Sequence, residues 1–265
     1  MSANRSPSPQ AEETENTTDD QAQVRIERRR FLQTATGAGV ALSAAGCTSF
    51  LGEGGYEMVS LDEPPGYENQ REMRDSGGVP YPIYGDQLPE ATLPAPARDR
   101  EVTTTEFVGD RHILMTFIFT RCPSACPVLA SNLATAQTSM LDAGSADEFA
   151  FLLTTFDPEY DTGSVLQEYS TDRGADTTHD SWFSLRPEAP SRAETVVKET
   201  FGVYFSPLSA SEREEMDMHE DMYFDHLSSI ILANADGYVE RNYVGGDIPN
   251  SGKLIDDIET LQQRW

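Results

Sequence analysis

The chain has 265 residues, long enough for one large domain or two small ones, with 38% hydrophobic residues and a mean hydropathy of −0.49. It carries 45 acidic against 19 basic residues, a net charge of −26, which excludes nucleic acid and anionic membrane surfaces as partners. Of the 19 basic residues only Lys198 and Lys253 are lysines. So self-repelling a chain suits a very salty medium, where the Debye length shrinks to a few ångström, and a halophilic source is expected.

Residues 1–27 are polar and acidic with almost no large apolar side chain, and are expected to be disordered. Arg28, Arg29 and Arg30 then precede Phe31-Leu32 and a short stretch of small residues ending in Ala44-Ala45-Gly46-Cys47. This segment, 28–47, resembles a twin-arginine export signal closed by a lipobox, with Cys47 as the lipidated residue. Its apolar run is too short for a spanning helix, which needs about 20 apolar residues. Residues 48–88 are rich in Gly, Pro, Glu and Tyr without a sustained period, and read as a tether, part flexible and part packed on the domain.

A domain is expected over 89–265. Residues 91–96 and 101–105 suit a short hairpin. From Ile113 to Phe119 the chain is apolar with one Thr, as in a strand buried on both faces. Cys122-Pro123-Ser124-Ala125-Cys126-Pro127 follows, then Val128, Leu129, Leu133 and Ala136 at helical spacing. Pro127 suits the first helical position, with the helix running to about Leu141. Residues 149–155 make a second apolar strand. The turn at 156–162 follows, with Asp161 or Thr162 as N-cap of a helix carrying Val165, Leu166 and Tyr169. A short strand is expected at 181–185, a helix at 193–201 and a polar, acidic inserted loop at 204–221. Residues 223–233 read as a strand, 234–237 as a hairpin turn and 238–243 as the partner strand. Leu254, Ile258, Leu261 and Trp265 mark a closing helix. This alternation is an α/β pattern of thioredoxin type.

The chemistry concentrates on the two cysteines of the strand-to-helix turn. Unpaired backbone N–H groups and the helix dipole favour a thiolate there, and a thiolate is both nucleophile and metal ligand. The Cys-x-x-x-Cys spacing admits a disulfide clip, a redox pair or two soft metal ligands. A clip would close a tiny loop and stabilise little. For the metal reading, His112 lies at the wrong end of its strand and His179 in a polar loop. His226 opens the strand that faces the cysteines in a thioredoxin fold, where that fold usually carries a cis-proline. Two thiolates and an imidazole suit copper, above all Cu(I). Met216, Met218, His219 and Met222 form a Met-rich acidic run; it reads as a solvated loop whose methionines cover apolar surface rather than as a second copper site.

The runs 117–127, 154–162 and 225–237 together resemble the three signatures of the Sco/SenC family, thioredoxin-like copper proteins that assist assembly of the dinuclear copper centre of cytochrome c oxidase. The resemblance covers about residues 89–265. It implies copper, as Cu(I) or Cu(II), held by Cys122, Cys126 and His226, with Asp157 close by. It further implies a copper chaperone rather than an enzyme, anchored by lipid at the extracytoplasmic face of the membrane, with the copper-bearing oxidase subunit as partner. The alternative is a thiol–disulfide oxidoreductase using Cys122 and Cys126 on that subunit's cysteines. A peroxidase of peroxiredoxin type is disfavoured, because Thr120 stands only two residues before Cys122. The run 209–222 is longer and more acidic than the family pattern.

Overall fold

A computed structural model describes residues 58–216 and 218–265. The expectations for 1–27, for the 28–47 signal with Cys47 and for the start of 48–88 lie outside the described residues.

A five-stranded mixed sheet sits at the centre, in the order β5 (Trp182–Leu185), β4 (Phe149–Thr155), β3 (His112–Ile118), β8 (Ser229–Ala233) and β9 (Val239–Val244). Strand β3 (His112–Ile118) is buried along its whole length, as its unbroken apolar run requires of a strand covered on both faces. It pairs in parallel with β4 (Phe149–Thr155), from His112↔Phe149 to Ile118↔Thr155. Strand β4 pairs in parallel with β5 (Trp182–Leu185). On the other side β8 (Ser229–Ala233) runs antiparallel to β3 and is followed by β9 (Val239–Val244). Parallel neighbours need crossovers; α2 (Ala125–Asp142) and α3 (Gly163–Asp172) provide them. Thr162 caps α3, its hydroxyl accepting from the Val165 amide at 3.4 Å. Helix α6 (Ser251–Arg264) packs on α2 and buries Leu254, Ile258 and Leu261. A hairpin of β1 (Thr92–Ala95) and β2 (Arg100–Thr103) stands beside β5. The fold is thioredoxin-like.

Five details differ from the sequence reading. Helix α2 starts at Ala125, so Cys126 lies inside its first turn and Pro127 is its third residue; this still costs no intrahelical bond. Val128 is 51% exposed, because the inward face of α2 is carried by Cys126, Leu129, Leu133 and Met140. The helix expected at 193–201 begins earlier, as one α-helical turn over Pro190–Ala193 (α4), and continues as a π-helical segment over Glu194–Thr200. The expected strand 223–233 is two strands. Strand β7 (Phe224–His226) leaves the main sheet to pair with β6 (Phe205–Pro207), and β8 begins only after Leu227 and Ser228. Between β6 and β7 the acidic insertion carries a short helix, α5 (Ala210–Glu215), opened by a capping box of Ser209 and Glu212.

Residues 58–88 fold onto this sheet and carry helix α1 (Tyr67–Asp75). The buried Glu240 carboxylate accepts from the amides of Ser60 at 2.7 Å and Leu61 at 2.9 Å, and from Asn234 Nδ2 at 2.7 Å. Gly85 and Asp86 exchange backbone hydrogen bonds with Val239 at 2.9 and 2.8 Å, covering the start of the edge strand β9. Pro80 and Tyr81 press against Gly202. A Cβ there would stand 2.3 Å from the Pro80 carbonyl, and the backbone is left-handed at φ +65°. Among the described residues no helix is long and apolar enough to cross a membrane.

Candidate metal centre

The site forms where β3 ends. The Cys122 amide closes a turn onto the Phe119 carbonyl at 3.2 Å, so the chain reverses into α2 with Cys122 before the helix and Cys126 within its first turn. His226 arrives from the other side, on β7. Its backbone is set by pairing opposite Phe205 and by the Leu227 amide bonding to the Tyr204 carbonyl at 2.8 Å.

These elements bring three soft donors together. His226 Nε2 lies 3.7 Å from Cys122 Sγ and 3.8 Å from Cys126 Sγ, and all three ligand atoms fall within 4.8 Å of one another. Two ligands bound about 2.0–2.3 Å from one ion at trigonal or tetrahedral angles stand roughly 3.3–4 Å apart. Both sulfur–nitrogen distances fall in that range, so the donor set suits a single metal ion. Both cysteines are free thiols and buried.

The two sulfurs differ in acidity. Cys122 is pulled down to about 3, first by the hydrogen bond from Cys126 and, against a desolvation penalty, by a further one to His226. Cys126 moves the other way, because it is buried and because it faces the Cys122 thiolate. The resting dithiol is thus one thiolate and one thiol. Both sulfurs are not equally activated by the helix terminus; the pair shares a single proton, which Cys126 keeps.

Apart from Nε2 at the two sulfurs, the imidazole is held by rings. Its centroid lies 5.6 Å from Phe119, edge-on, and 5.4 Å from Phe156. Nδ1 is buried and meets no hydrogen-bond partner among the described residues. The aromatic walls turn Nε2, the other ring nitrogen, toward the two sulfurs as a ligand.

Asp157 stands beside the turn rather than in it. Its carboxylate accepts from Arg121 Nη2 at 2.6 Å and is itself buried. The Arg121 guanidinium stacks over Tyr160 at 4.1 Å and over Tyr223 at 3.8 Å. Asp161, offered by the sequence as a possible cap, is instead fully buried under the turn. It accepts from the Thr120 amide at 3.1 Å and from the hydroxyls of Thr120 and Thr155, and burial raises its carboxyl to about 6.

The other histidines stay away from the three donors. His112 is buried at the start of β3, where Nδ1 accepts from the Ala235 amide at 3.1 Å. His179 bonds Ser181 at 2.9 Å, and His219 is exposed beside Asp221. Met216 is 51% exposed, whereas Met222 packs against the core. Cys47 lies outside the described residues. Sequence reasoning passed over Arg121, Tyr160 and Tyr223. The available signal was an arginine, a bulky cation in an acidic chain, placed directly before the first cysteine.

Known proteins share this arrangement of elements. The family profile of SCO1/SenC matches residues 95–263. No curated protein matches the chain in sequence. Among solved structures, yeast Sco1 with copper bound superposes at a TM-score of 0.51 and 20% identity, covering 69% of this chain and 91% of that one. A SCO1/SenC family lipoprotein from Bacillus anthracis gives 0.50 at 18% identity, over 69% and 96%. BsSco, described as a member of the Sco family of cytochrome c oxidase assembly proteins in work on its disulfide switch, gives 0.50 at 20%, over 69% and 97%. At such identities the superpositions speak for the fold. The profile, spanning the three donors and every strand of the main sheet, carries the assignment: this chain belongs to the SCO1/SenC family.

Proposed function

We propose that this chain carries copper, taking it up through Cys122, Cys126 and His226 and delivering it to the copper-bearing subunit of cytochrome c oxidase. The observation that carries the reading is the convergence of two sulfurs and one imidazole nitrogen within 4.8 Å. Soft thiolates with imidazole select copper over hard cations, and a fourth protein ligand for structural zinc is missing from the cluster among the described residues. Loading needs the reduced pair, since a disulfide removes two of the three donors. The test is a copper titration of the reduced chain beside Cys122→Ser, Cys126→Ser and His226→Ala. One ion per chain, weakened strongly by each substitution, supports the reading; undiminished binding by His226→Ala overturns it.

A second reading, a thiol–disulfide oxidoreductase, draws on the unequal acidity of the sulfurs. The Cys122 thiolate would attack a substrate disulfide, and Cys126 would resolve the mixed disulfide as its proton leaves. The chain's dithiol is oxidised and the substrate gains two electrons. His226→Ala separates the two readings, because reduction does not need a third donor.

We further infer that the 28–47 segment exports the chain and that Cys47 anchors it by lipid at the extracytoplasmic face. Replacing Arg28 and Arg29 by Lys should trap precursor inside the cell, and Cys47→Ser should release the protein to the medium. Membrane-bound Cys47→Ser protein would refute the anchor.

A further inference from the structure

His226 is a ligand only if β7 is held at a fixed distance from the cysteine turn, and the two segments are separated by about a hundred residues. The inner grip on β7 is aromatic: Phe224 lies 5.2 Å from Phe119 and 5.5 Å from Phe156. Rings in a slot fix depth but slide along one another, since apolar contact is not directional. A second grip is directional. Arg121, the residue before Cys122, places its guanidinium between the rings of Tyr160 and Tyr223, at 4.1 and 3.8 Å. Its Nη2 donates to Asp157 at 2.6 Å. Tyr223, directly before β7, is covered on a further side by Arg213 of α5 at 5.0 Å. Arg213 donates to the Leu208 carbonyl at 2.8 Å, and the Leu208 amide donates to the Tyr223 carbonyl at 2.9 Å. Tyr160, Arg121, Tyr223 and Arg213 therefore form one ladder. It joins the cysteine turn, the Asp157 loop, the acidic insertion and the start of β7.

We propose that Arg121 is the positioning residue of the metal centre: its stacked guanidinium locks Tyr223, and through it His226, in register with Cys122 and Cys126. The same ladder ties α5, through Arg213, to the residue that opens β7. Arginine suits the task because a planar cation stacks on two rings while its edge still serves a carboxylate; lysine offers neither plane nor fork. The inference rests on the copper reading above.

The test is copper(I) affinity of the reduced full chain, by competition with a chelator, for Arg121→Gln, Arg121→Lys, Tyr223→Leu and Tyr223→Phe. It is joined by Arg121→Gln in a His226→Ala background and by the thiolate-to-copper charge-transfer band after loading with Cu(II). Losing one desolvated cation–π stack should weaken binding roughly tenfold. Arg121→Gln, Arg121→Lys and Tyr223→Leu should each show that loss and a shifted band, whereas Tyr223→Phe, which keeps the ring, should match the parent. In the His226→Ala background Arg121→Gln should have no further effect, because the two act as one unit. Equal weakening in both backgrounds, or parental affinity in Arg121→Gln, overturns the clamp. Failure of the parent to bind copper overturns the copper reading itself. Should Arg121→Gln not fold, the comparison of Tyr223→Leu with Tyr223→Phe decides the question: equal affinities in the two overturn the clamp.

Discussion

Consider the metal-free, reduced protein and remove one group at a time from around Cys122. Its sulfur is held far below the ordinary thiol range, lowered to about 3, with Cys126 the largest stabiliser and His226 the second. A hydrogen bond to a charged group contributes roughly 1.5–3 kcal/mol, and 1.36 kcal/mol moves a pKa by about one unit. His226→Ala should therefore raise the Cys122 midpoint by roughly one to two units, still well below an ordinary thiol. Cys126→Ala should raise it further, since the S–H donor is gone. The assay is the ultraviolet absorbance of the thiolate followed down in pH with chelator present, with Cys122→Ser subtracted as the blank. It needs no reagent to enter the site, which matters because Cys122 is only 4% exposed. The parent should show one thiolate per chain through mildly acidic pH. A parental midpoint in the ordinary thiol range, or a larger rise for His226→Ala than for Cys126→Ala, would refute the account of the sulfur environment. The linkage has a definite sign. A depressed acid stabilises the fold above its unfolded pKa and loses that contribution as pH falls toward 3, so the reduced protein should weaken progressively on acidification.

Asp161 has the opposite sign. Its carboxyl is raised to about 6 by burial, so its contribution is full below about 4 and disappears as pH rises through 6. Asp161→Asn should accordingly gain on the parent by about 3 kcal/mol between pH 4 and 7 in denaturant unfolding; a pH-independent difference would rule this out. Gly202→Ala should cost at least about 2 kcal/mol, because a Cβ meets the Pro80 carbonyl at a positive φ. It should also open residues 58–88 to protease, and an unchanged digest would count against that packing. The melting temperature should climb from low to molar salt as the −26 charge is screened; a flat profile would remove the argument for a halophilic chain.

Most of the fold was legible because the main sheet is built from runs whose chemistry allows one reading. Strands β3 and β4 are continuously apolar, and the turn at 234–237 separates two β-rich runs. The break at Leu227-Ser228 was not legible. The run 223–233 has strand composition throughout, and only the partner Phe205, some twenty residues upstream, decides that His226 leaves the main sheet. Helix α5 could have been found from Ser209 and Glu212 alone. The π-helical segment could not, since an i→i+5 bond such as Phe201 N–H to the Val196 carbonyl at 3.0 Å has no composition signal. At the site, the ligand types were readable from Cys122, Cys126 and His226. What holds them was not: the Arg121 stack and the Asp161 cradle join segments about forty to a hundred residues apart, and no local pattern encodes them.

The route of residues 58–61 has an electrostatic consequence. The Glu240 carboxylate is buried in the main sheet and takes two of its donors from the amides of Ser60 and Leu61, while Asn234, its third donor, also holds the Met58 carbonyl at 2.8 Å. A chain shortened to begin at the β1–β2 hairpin would strip that carboxylate of both amides and leave a buried charge with Asn234 alone, a loss of about 3–5 kcal/mol. Glu240→Gln in the shortened chain would recover part of it, because the charge that needs those amides is gone.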